Sequence, residues 1–285
     1  MLNNFFCPLV FVLFSAVLSL IAPRKVFDVH IHGSGNVSAQ LSSLESAGVY
    51  KAALSSSWDL QNAFRGKSKV EILYGLMLPC PNGKVPYSLQ KCYENGEDWP
   101  SLEWVEGQIK AGQVDYFGEI LTQYFGISAS DSRIIPYYAL AEKYNLPVGI
   151  HFGGAGPGHG SPAFKMELGN PLLLKEMLQR FPKLRVWIMH SGDQFYIEAI
   201  SVMKQHENVY ADLSVVSNPD IIPGEKFRTL MSAFLRAGLE DRLMFGSDNG
   251  DIDKVINSIE SLDILSEAQK GKIFYANAER FFRKR

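Results

Sequence analysis

The sequence of 285 residues predicts an α/β fold, a (β/α)8 TIM barrel of one domain that follows an N-terminal hydrophobic leader. Short β-branched and apolar runs alternate with amphipathic stretches of helical period along the chain. Polar groups end five of these runs, far apart in sequence. A doubly wound open sheet would spread such ends along a line, whereas a closed barrel gathers them around one mouth. No low-complexity tract or Pro/Gly/Ser-rich linker divides the chain after the leader, so a single barrel domain is expected over residues 24–285.

Residues 1–23 are expected to form a signal peptide or a membrane anchor. Phe5 to Ala22 is an unbroken, mostly apolar stretch, long enough for either. The lack of an early Lys or Arg and the presence of Pro23 argue against a standard signal peptide, while Arg24 and Lys25 would hold an anchored barrel in the cytoplasm. Two locations therefore stay open: export to the periplasm or the exterior, and membrane association through residues 5–22. If the start codon is mis-assigned, the protein is expected in the cytoplasm.

Eight strands are predicted from apolar and β-branched runs that stop at glycine or polar residues. The run VFDVHI and the run LRVWIM are typical, since a histidine follows each directly. In chain order the predicted strands are Val26–Ile31, Tyr50–Ser55, Glu71–Leu78, Tyr116–Ile120, Pro147–Ile150, Leu184–Met189, Val209–Leu213 and Leu243–Phe245.

Nine helices are predicted between and after these strands from apolar residues at helical spacing. Asn170 can cap a helix with Pro171 at its first position, and Gly48 and Gly238 lie just past helix ends. In chain order the predicted helices are Ala39–Ala47, Leu60–Phe64, Leu102–Ala111, Ser132–Tyr144, Pro171–Arg180, Phe195–Gln205, Glu225–Ala237, Ile252–Leu262 and Glu267–Phe282.

Composition narrows the class of protein. With 46% hydrophobic and 20% charged residues, the chain can bury a substantial core. The net charge of −2 and the scattered Lys and Arg give no electrostatic footprint for nucleic acid. If Cys7 is removed with the leader, Cys80 and Cys92 remain, either as one disulfide in an oxidising compartment or as two free thiols.

Histidines and carboxylates end the strands. His30 and His32 end the first run, His151 the fifth and His190 the sixth, and the list is completed by Glu119 and Asp248 at the ends of the fourth and eighth. His30 and His32 are two residues apart, so their side chains project from the same face of a strand. Imidazole nitrogen and carboxylate oxygen are ligands of Zn²⁺ and similar ions. The pattern therefore predicts a catalytic metal site.

These residues lie in segments that resemble the amidohydrolase superfamily of metal-dependent hydrolases, in its amidohydrolase-related branch of lactonases and decarboxylases. The resemblance follows the family's order over nearly all of the chain after the leader. It is carried by FDVHIHG (27–33), FGEI (117–120), LPVGIHFG (146–153), NPLLLKEMLQRFPKLRVWIMHSG (170–192), ENVYADLS (207–214), DRLMFGSDNGD (241–251) and FYANAERFF (274–282).

The resemblance implies one or two divalent metal ions, zinc or else manganese or iron. It assigns as ligands His30, His32, His151, His190 and Asp248, with Glu119 at the position where several relatives bridge two metals. If Glu119 binds, it joins one ion on His30, His32 and Asp248 to another on His151 and His190. If Glu119 only orients a neighbour, one ion on His30, His32, His151 and Asp248 remains, and His190 addresses the substrate. Arg133 as a purely structural partner of Glu119 is the account that competes with metal binding by this carboxylate.

The chemistry expected is hydrolysis of a C–N or C–O bond of a small amide, lactone or ester. Asp248 would move the proton of the attacking water, and a His190 that is not a ligand would stabilise the oxyanion. A decarboxylase of a small unsaturated or aromatic acid is the alternative, and a non-catalytic binding barrel a third. His159, in a glycine-rich loop, and Trp58 are candidate substrate contacts or ordinary loop and packing residues. The oligomeric state is not predicted.

Overall fold

Eight parallel strands in sequential order form the centre of the protein, in a computed structural model that describes residues 24–93 and 96–283. The strands are β1 (Val26–His32), β2 (Val49–Ser56), β3 (Glu71–Leu78), β4 (Tyr116–Ile120), β5 (Val148–Ile150), β6 (Val186–Ile188), β7 (Val209–Asp212) and β8 (Leu243–Met244). Each agrees with its predicted counterpart to within two residues at either end. The predicted leader, residues 1–23, lies outside the described residues.

Main-chain hydrogen bonds between the first strand and the segment that follows β8 bring the sheet round into a barrel. The amide of Val29 donates to the carbonyl of Phe245 at 3.0 Å, and the amide of Asp248 donates to the carbonyl of His30 at 2.8 Å. The predicted barrel is therefore confirmed, although β8 itself spans only two residues.

Helices surround the barrel, one or more after each strand. They are α1 (Val37–Ser46), α2 (Trp58–Phe64), α3 (Leu102–Lys110), α4 (Ile135–Lys143), α5 (Lys175–Arg180), α6 (Tyr196–Gln205), α7 (Gly224–Arg236), α8 (Ile252–Glu260), α9 (Glu267–Gly271) and α10 (Asn277–Phe282). The helix predicted over Pro171–Arg180 begins as a 3-10 turn, Pro171–Leu174, capped by Asn170 as expected. The last predicted helix is interrupted by a π turn between α9 and α10.

Aromatic side chains fill the barrel at the end opposite the strand carboxyl termini. Trp187 and Tyr116 are fully buried there, and Phe281 and Phe282 of α10 pack their rings against Trp187. Gly149 is required beside them, because a Cβ at this position would overlap the Trp187 ring. Since this end is filled, any cavity along the barrel axis must open at the other end.

The long connection from β3 to α3 is tied by a disulfide between Cys80 and Cys92, whose Cα atoms are 5.8 Å apart. The structure thus shows the paired form of these two cysteines. Among residues 24–93 and 96–283, no helix combines the length and the apolar character needed to cross a membrane.

Candidate metal centre

Six side chains converge at the carboxyl ends of the strands. They are those of His30, His32, Glu119, His151, His190 and Asp248, contributed by β1, by β4 and by the segments directly after β5, β6 and β8. His30 is fully buried and the side chains of Glu119, His151 and His190 are nearly so. They line or lie beneath a cavity of about 630 Å³ that opens at this end of the barrel. The structure therefore brings together every ligand that the sequence predicts.

The first group of donors consists of His30, His32 and Asp248. The two Nε2 atoms of His30 and His32 are 3.3 Å apart. Asp248 Oδ1 is 3.1 Å from His32 Nε2 and 3.7 Å from His30 Nε2. A tetrahedral ion with donors at about 2.1 Å has donors about 3.4 Å from one another. These three atoms therefore have the spacing of ligands around one ion.

The protons on these two imidazoles are fixed from behind. His30 Nδ1 faces Asp212 Oδ2 at 3.1 Å, and His32 Nδ1 faces the carbonyl oxygen of Ser55 at 2.9 Å. Both partners accept hydrogen bonds, so each Nδ1 keeps its proton, and in the neutral form that a metal ligand requires, each ring turns the lone pair of Nε2 towards the other. Two converging lone pairs and a carboxylate oxygen repel one another unless a cation lies among them. The donor set thus fits a divalent metal.

The second group consists of His151, His190 and Glu119. His151 Nδ1 lies 2.7 Å from Glu119 Oε1 and 3.2 Å from His190 Nε2. His190 Nδ1 donates to Ser214 Oγ at 2.9 Å, which leaves its Nε2 as a lone-pair donor. His151 Nε2 lies 3.2 Å from the carbonyl of Gly154. A carbonyl oxygen can only accept a hydrogen bond, so the proton of the neutral His151 ring lies on Nε2. The Nδ1 atom of His151 then carries a lone pair that can bind a metal.

Glu119 lies between the two groups and turns one oxygen to each. Its Oε1 faces His151, while its Oε2 lies 3.4 Å from His32 Nε2. Arg133, the structural partner considered for this carboxylate, is instead at the surface and pairs with Asp131 at 2.8 Å. That account of Glu119 is therefore wrong, because Asp131 two residues away is within reach of the Arg133 guanidinium and Glu119 is buried in the barrel.

Electrostatics in the site favour charged groups despite their burial. Burial lowers the pKa of His30, but the carboxylates of Asp212 and Asp248 outweigh it and raise that pKa to about 9. Burial likewise lowers the pKa of His190, and Glu119, Asp248 and Asp212 raise it to about 9. Burial raises the pKa of Asp248, but the neighbouring histidines bring it down to about 2. The carboxylates thus stabilise positive charge at this point, which protons on His30 and His190 supply without metal and a divalent ion would supply in their place.

Asp212, at the end of β7, is an important residue that the sequence analysis missed. Its fully buried carboxylate accepts hydrogen bonds from His30 Nδ1, from Trp187 Nε1 at 3.2 Å, from the His190 amide at 2.9 Å and from Ser214 Oγ at 2.6 Å. It therefore orients both a first-group and a second-group histidine. The signal was present, since Asp212 directly follows the run VYA within ENVYADLS, much as the other polar groups follow their runs.

The two candidate substrate contacts do not line the cavity. Trp58 is buried and packs edge-on against Trp104, with ring centroids 4.9 Å apart. His159 packs against Tyr124 and Tyr87 at 5.8 Å and 6.3 Å between centroids. These two tyrosines do line the cavity, and the sequence analysis did not select them. His159 thus lies behind the wall that they form.

A family model described as amidohydrolase matches residues 118–284, more than half of the chain. No curated protein sequence matches. Solved structures share the fold. An uncharacterised TIM-barrel protein from Bordetella bronchiseptica superposes with a TM-score of 0.66 at 17% identity, covering 90% of this chain and 98% of its own.

Two further structures of this kind carry names of activities. A probable 2-pyrone-4,6-dicarboxylic acid hydrolase from Acinetobacter baumannii gives a TM-score of 0.61 at 12% identity, with 90% of this chain and 98% of that chain covered. A 2,6-dihydroxybenzoate decarboxylase from Rhizobium gives a TM-score of 0.57 at 14% identity, with 91% and 98% covered. At these identities the likeness establishes the fold alone.

Substitution Asp212→Asn is expected to weaken divalent metal binding by about 10- to 100-fold, because the charged partner that fixes the His30 proton is lost. Competition against a chromophoric chelator measures this change. Asp193→Asn is the matched control: it removes one negative charge from the same cavity, but Asp193 contacts the Gly154 amide rather than a histidine. Equal losses in both variants would contradict the role given to Asp212.

Metal binding is expected to release protons below about pH 9. His30 and His190 have pKa values raised to about 9 without metal, whereas a ligand imidazole must be neutral. The apparent affinity should therefore rise with pH up to about 9, by about tenfold per pH unit for each proton released. Calorimetric titrations in two buffers of different ionisation enthalpy count these protons. An affinity that does not change with pH would show that both imidazoles are already neutral.

Proposed function

The chain belongs to the amidohydrolase family, and from that membership we propose that it is a metal-dependent hydrolase acting at the carbonyl carbon of a small amide, lactone or ester. Membership of this family indicates an enzyme. The reaction we assign is cleavage of a C–N or C–O bond by water. One observation carries the proposal: Glu119 is buried between two groups of imidazole nitrogen atoms and turns one carboxylate oxygen to each.

We assign the metal to these groups by the chemistry of their donors. His30, His32 and Asp248 would hold one divalent ion, His151 and His190 a second, and Glu119 would bridge them. Nitrogen and carboxylate donors without thiolates suit zinc, manganese or iron, and zinc is our first choice. When bound, such ions lower the pKa of water and polarise a carbonyl oxygen.

The protein's own groups would move the protons. Asp248 lies at the edge of the cavity with its side chain partly accessible, so its second oxygen can take a proton from the attacking water and pass it to the leaving nitrogen or oxygen. A pKa of about 2 before metal binding means that this carboxylate is ionised at neutral pH, as a proton acceptor must be. The same oxygen of Asp248 would thus serve in both proton transfers.

Tyr124 provides a neutral hydrogen-bond donor close to the reacting groups. Its ring packs edge-on against His151, with centroids 4.7 Å apart, and it lines the cavity. Burial and the nearby Glu119 carboxylate raise the pKa of its phenol, so the hydroxyl keeps its proton. A hydroxyl that stays neutral can orient a substrate oxygen without adding charge.

Asp248→Asn is expected to lower kcat, corrected for the metal content of the variant, by about 10²- to 10⁴-fold, because the amide cannot accept the proton of water. The assay is a panel of small lactones, esters and amides, together with small unsaturated and aromatic carboxylic acids, in ¹⁸O-labelled water, with mass spectrometry of the products. Asp253→Asn, an exposed residue on α8, is the control for loss of one charge and should retain activity. Carbon dioxide release without ¹⁸O in the product would establish decarboxylation and overturn hydrolysis.

Glu119→Gln is expected to reduce the metal content of the protein from two ions to one, since the amide offers one neutral oxygen in place of two charged ones. Elemental analysis of protein purified under metal-replete conditions measures the ratio, with His30→Ala as a variant that removes a ligand outright. Unchanged content in Glu119→Gln would refute the bridge. A wild-type protein without any transition metal would overturn the proposed function itself.

A further inference from the structure

The cavity over the donor groups is lined by carboxylates, and the basic side chains among the described residues that line it are the histidines of the donor groups. Glu119, Asp248 and Asp193 line it, and Asp212 lies directly behind. None of the described residues that line it is a lysine or an arginine. Two divalent ions would only balance these four carboxylates, and one ion would leave the site negative. A second carboxylate on a substrate, away from the reacting carbonyl, would lose water there without gaining a lysine or arginine as its partner.

The cavity walls are apolar. On one side Met77 and Tyr124 belong to a small buried cluster in which Val85 and Ala155 also pack. On the other side, the segment after β7 contributes Ile222 and its neighbours. Walls of this kind favour an apolar substituent, because each buried CH₂ group is worth about 0.8 kcal/mol of transfer free energy.

The apolar surface continues outward from the mouth. We define the apolar rim as Tyr87, Leu89 and Ile221, which are 55%, 86% and 56% exposed. Tyr87 and Ile221 line the cavity, and Leu89 lies between two residues that do. Large apolar side chains exposed beside an opening usually mark a surface that contacts a ligand.

From this distribution of charge we infer that the substrate is an uncharged carbonyl compound with an apolar substituent, and that compounds carrying a carboxylate on that substituent are excluded. This inference rests on the proposed hydrolase function, which it narrows by substrate class. It also separates the chain from solved relatives whose names specify acids, such as the dicarboxylic acid hydrolase.

Three 4-nitrophenyl esters of equal chain length test the inference: the hexanoate, the adipate monoester and its methyl ester. The terminal methyl group of the first is a carboxylate in the second and a neutral ester in the third. We expect kcat/KM for the adipate monoester to be at least about tenfold lower than for the other two, after division by the rates of spontaneous hydrolysis. Equal values for all three would overturn the inference and leave the hydrolase function intact.

A charge placed on the rim should change this preference. Ile221→Arg is expected to raise the kcat/KM of the adipate monoester relative to the hexanoate by about tenfold, because it supplies the missing partner for the carboxylate. Ile197→Arg is the matched control, since Ile197 is the same residue type, equally exposed at 56%, and lies on α6 outside the cavity lining. An identical effect of both variants would attribute the change to net charge and contradict the inference.

Binding without turnover separates the two proposals. Hexanohydroxamic acid and the monohydroxamate of adipic acid differ by the same carboxylate, and calorimetry with metal-loaded protein measures their affinities. Tighter binding of the uncharged compound by about tenfold or more, with no ester hydrolysed, would support the substrate class and overturn hydrolysis. Equal affinities would overturn the substrate class whatever the activity.

Discussion

The structure depends on the crowding of lone pairs at the carboxyl ends of the strands. Nitrogen donors of His30, His32 and His190 turn inward because a hydrogen-bond acceptor holds the proton on the far side of each ring. Asp212 and Ser214 serve two of them at once, since Ser214 Oγ accepts from His190 and donates to Asp212. Because these acceptors are buried and fixed, the inward lone pairs cannot relax by changing tautomer, and the site is organised for cations.

The barrel makes this crowding tolerable. Asp28, on β1, accepts hydrogen bonds from the amides of His30 and Ser247, so a buried carboxylate joins the first strand to the segment after the last. Asn249 exchanges two further hydrogen bonds with the main chain of His32. These contacts close the barrel at the point where Asp248 must face the histidines. Trp187 and its neighbours fill the end of the barrel opposite the strand carboxyl termini, so side chains around an open cavity can differ only at the carboxyl-terminal end.

The alternation of strands and helices was predictable from the sequence, because the spacing of apolar residues reflects the face that each strand or helix buries. The histidines at the strand ends were predictable as one site, because the carboxyl ends of all strands in a barrel meet at the same opening. Asp212 could have been found by the same rule. Trp58 could not be assigned, because whether an aromatic residue after β2 faces the mouth or Trp104 depends on how α3, distant in sequence, packs against it. Tyr87 could not be assigned for a similar reason. Its backbone is left-handed, and its hydroxyl donates a hydrogen bond to the carbonyl of Gly156 in the glycine-rich loop, which is distant in sequence.

The ring of donors and the cavity walls come from different parts of the chain, and this explains why one ring can serve many substrates. The donors are fixed at strand ends, where the barrel allows little variation. Met77 lies within β3, but the other wall residues, such as Val85, Ala155 and Ile222, belong to connecting segments that can change without disturbing the ring of donors. The proposed selectivity for carbonyl compounds therefore rests on the charge that those segments carry. Among the described residues that line the cavity, these segments provide carbon surface and neither lysine nor arginine. The proposed selection would therefore act through the loss of water from charged groups rather than through pairing with them.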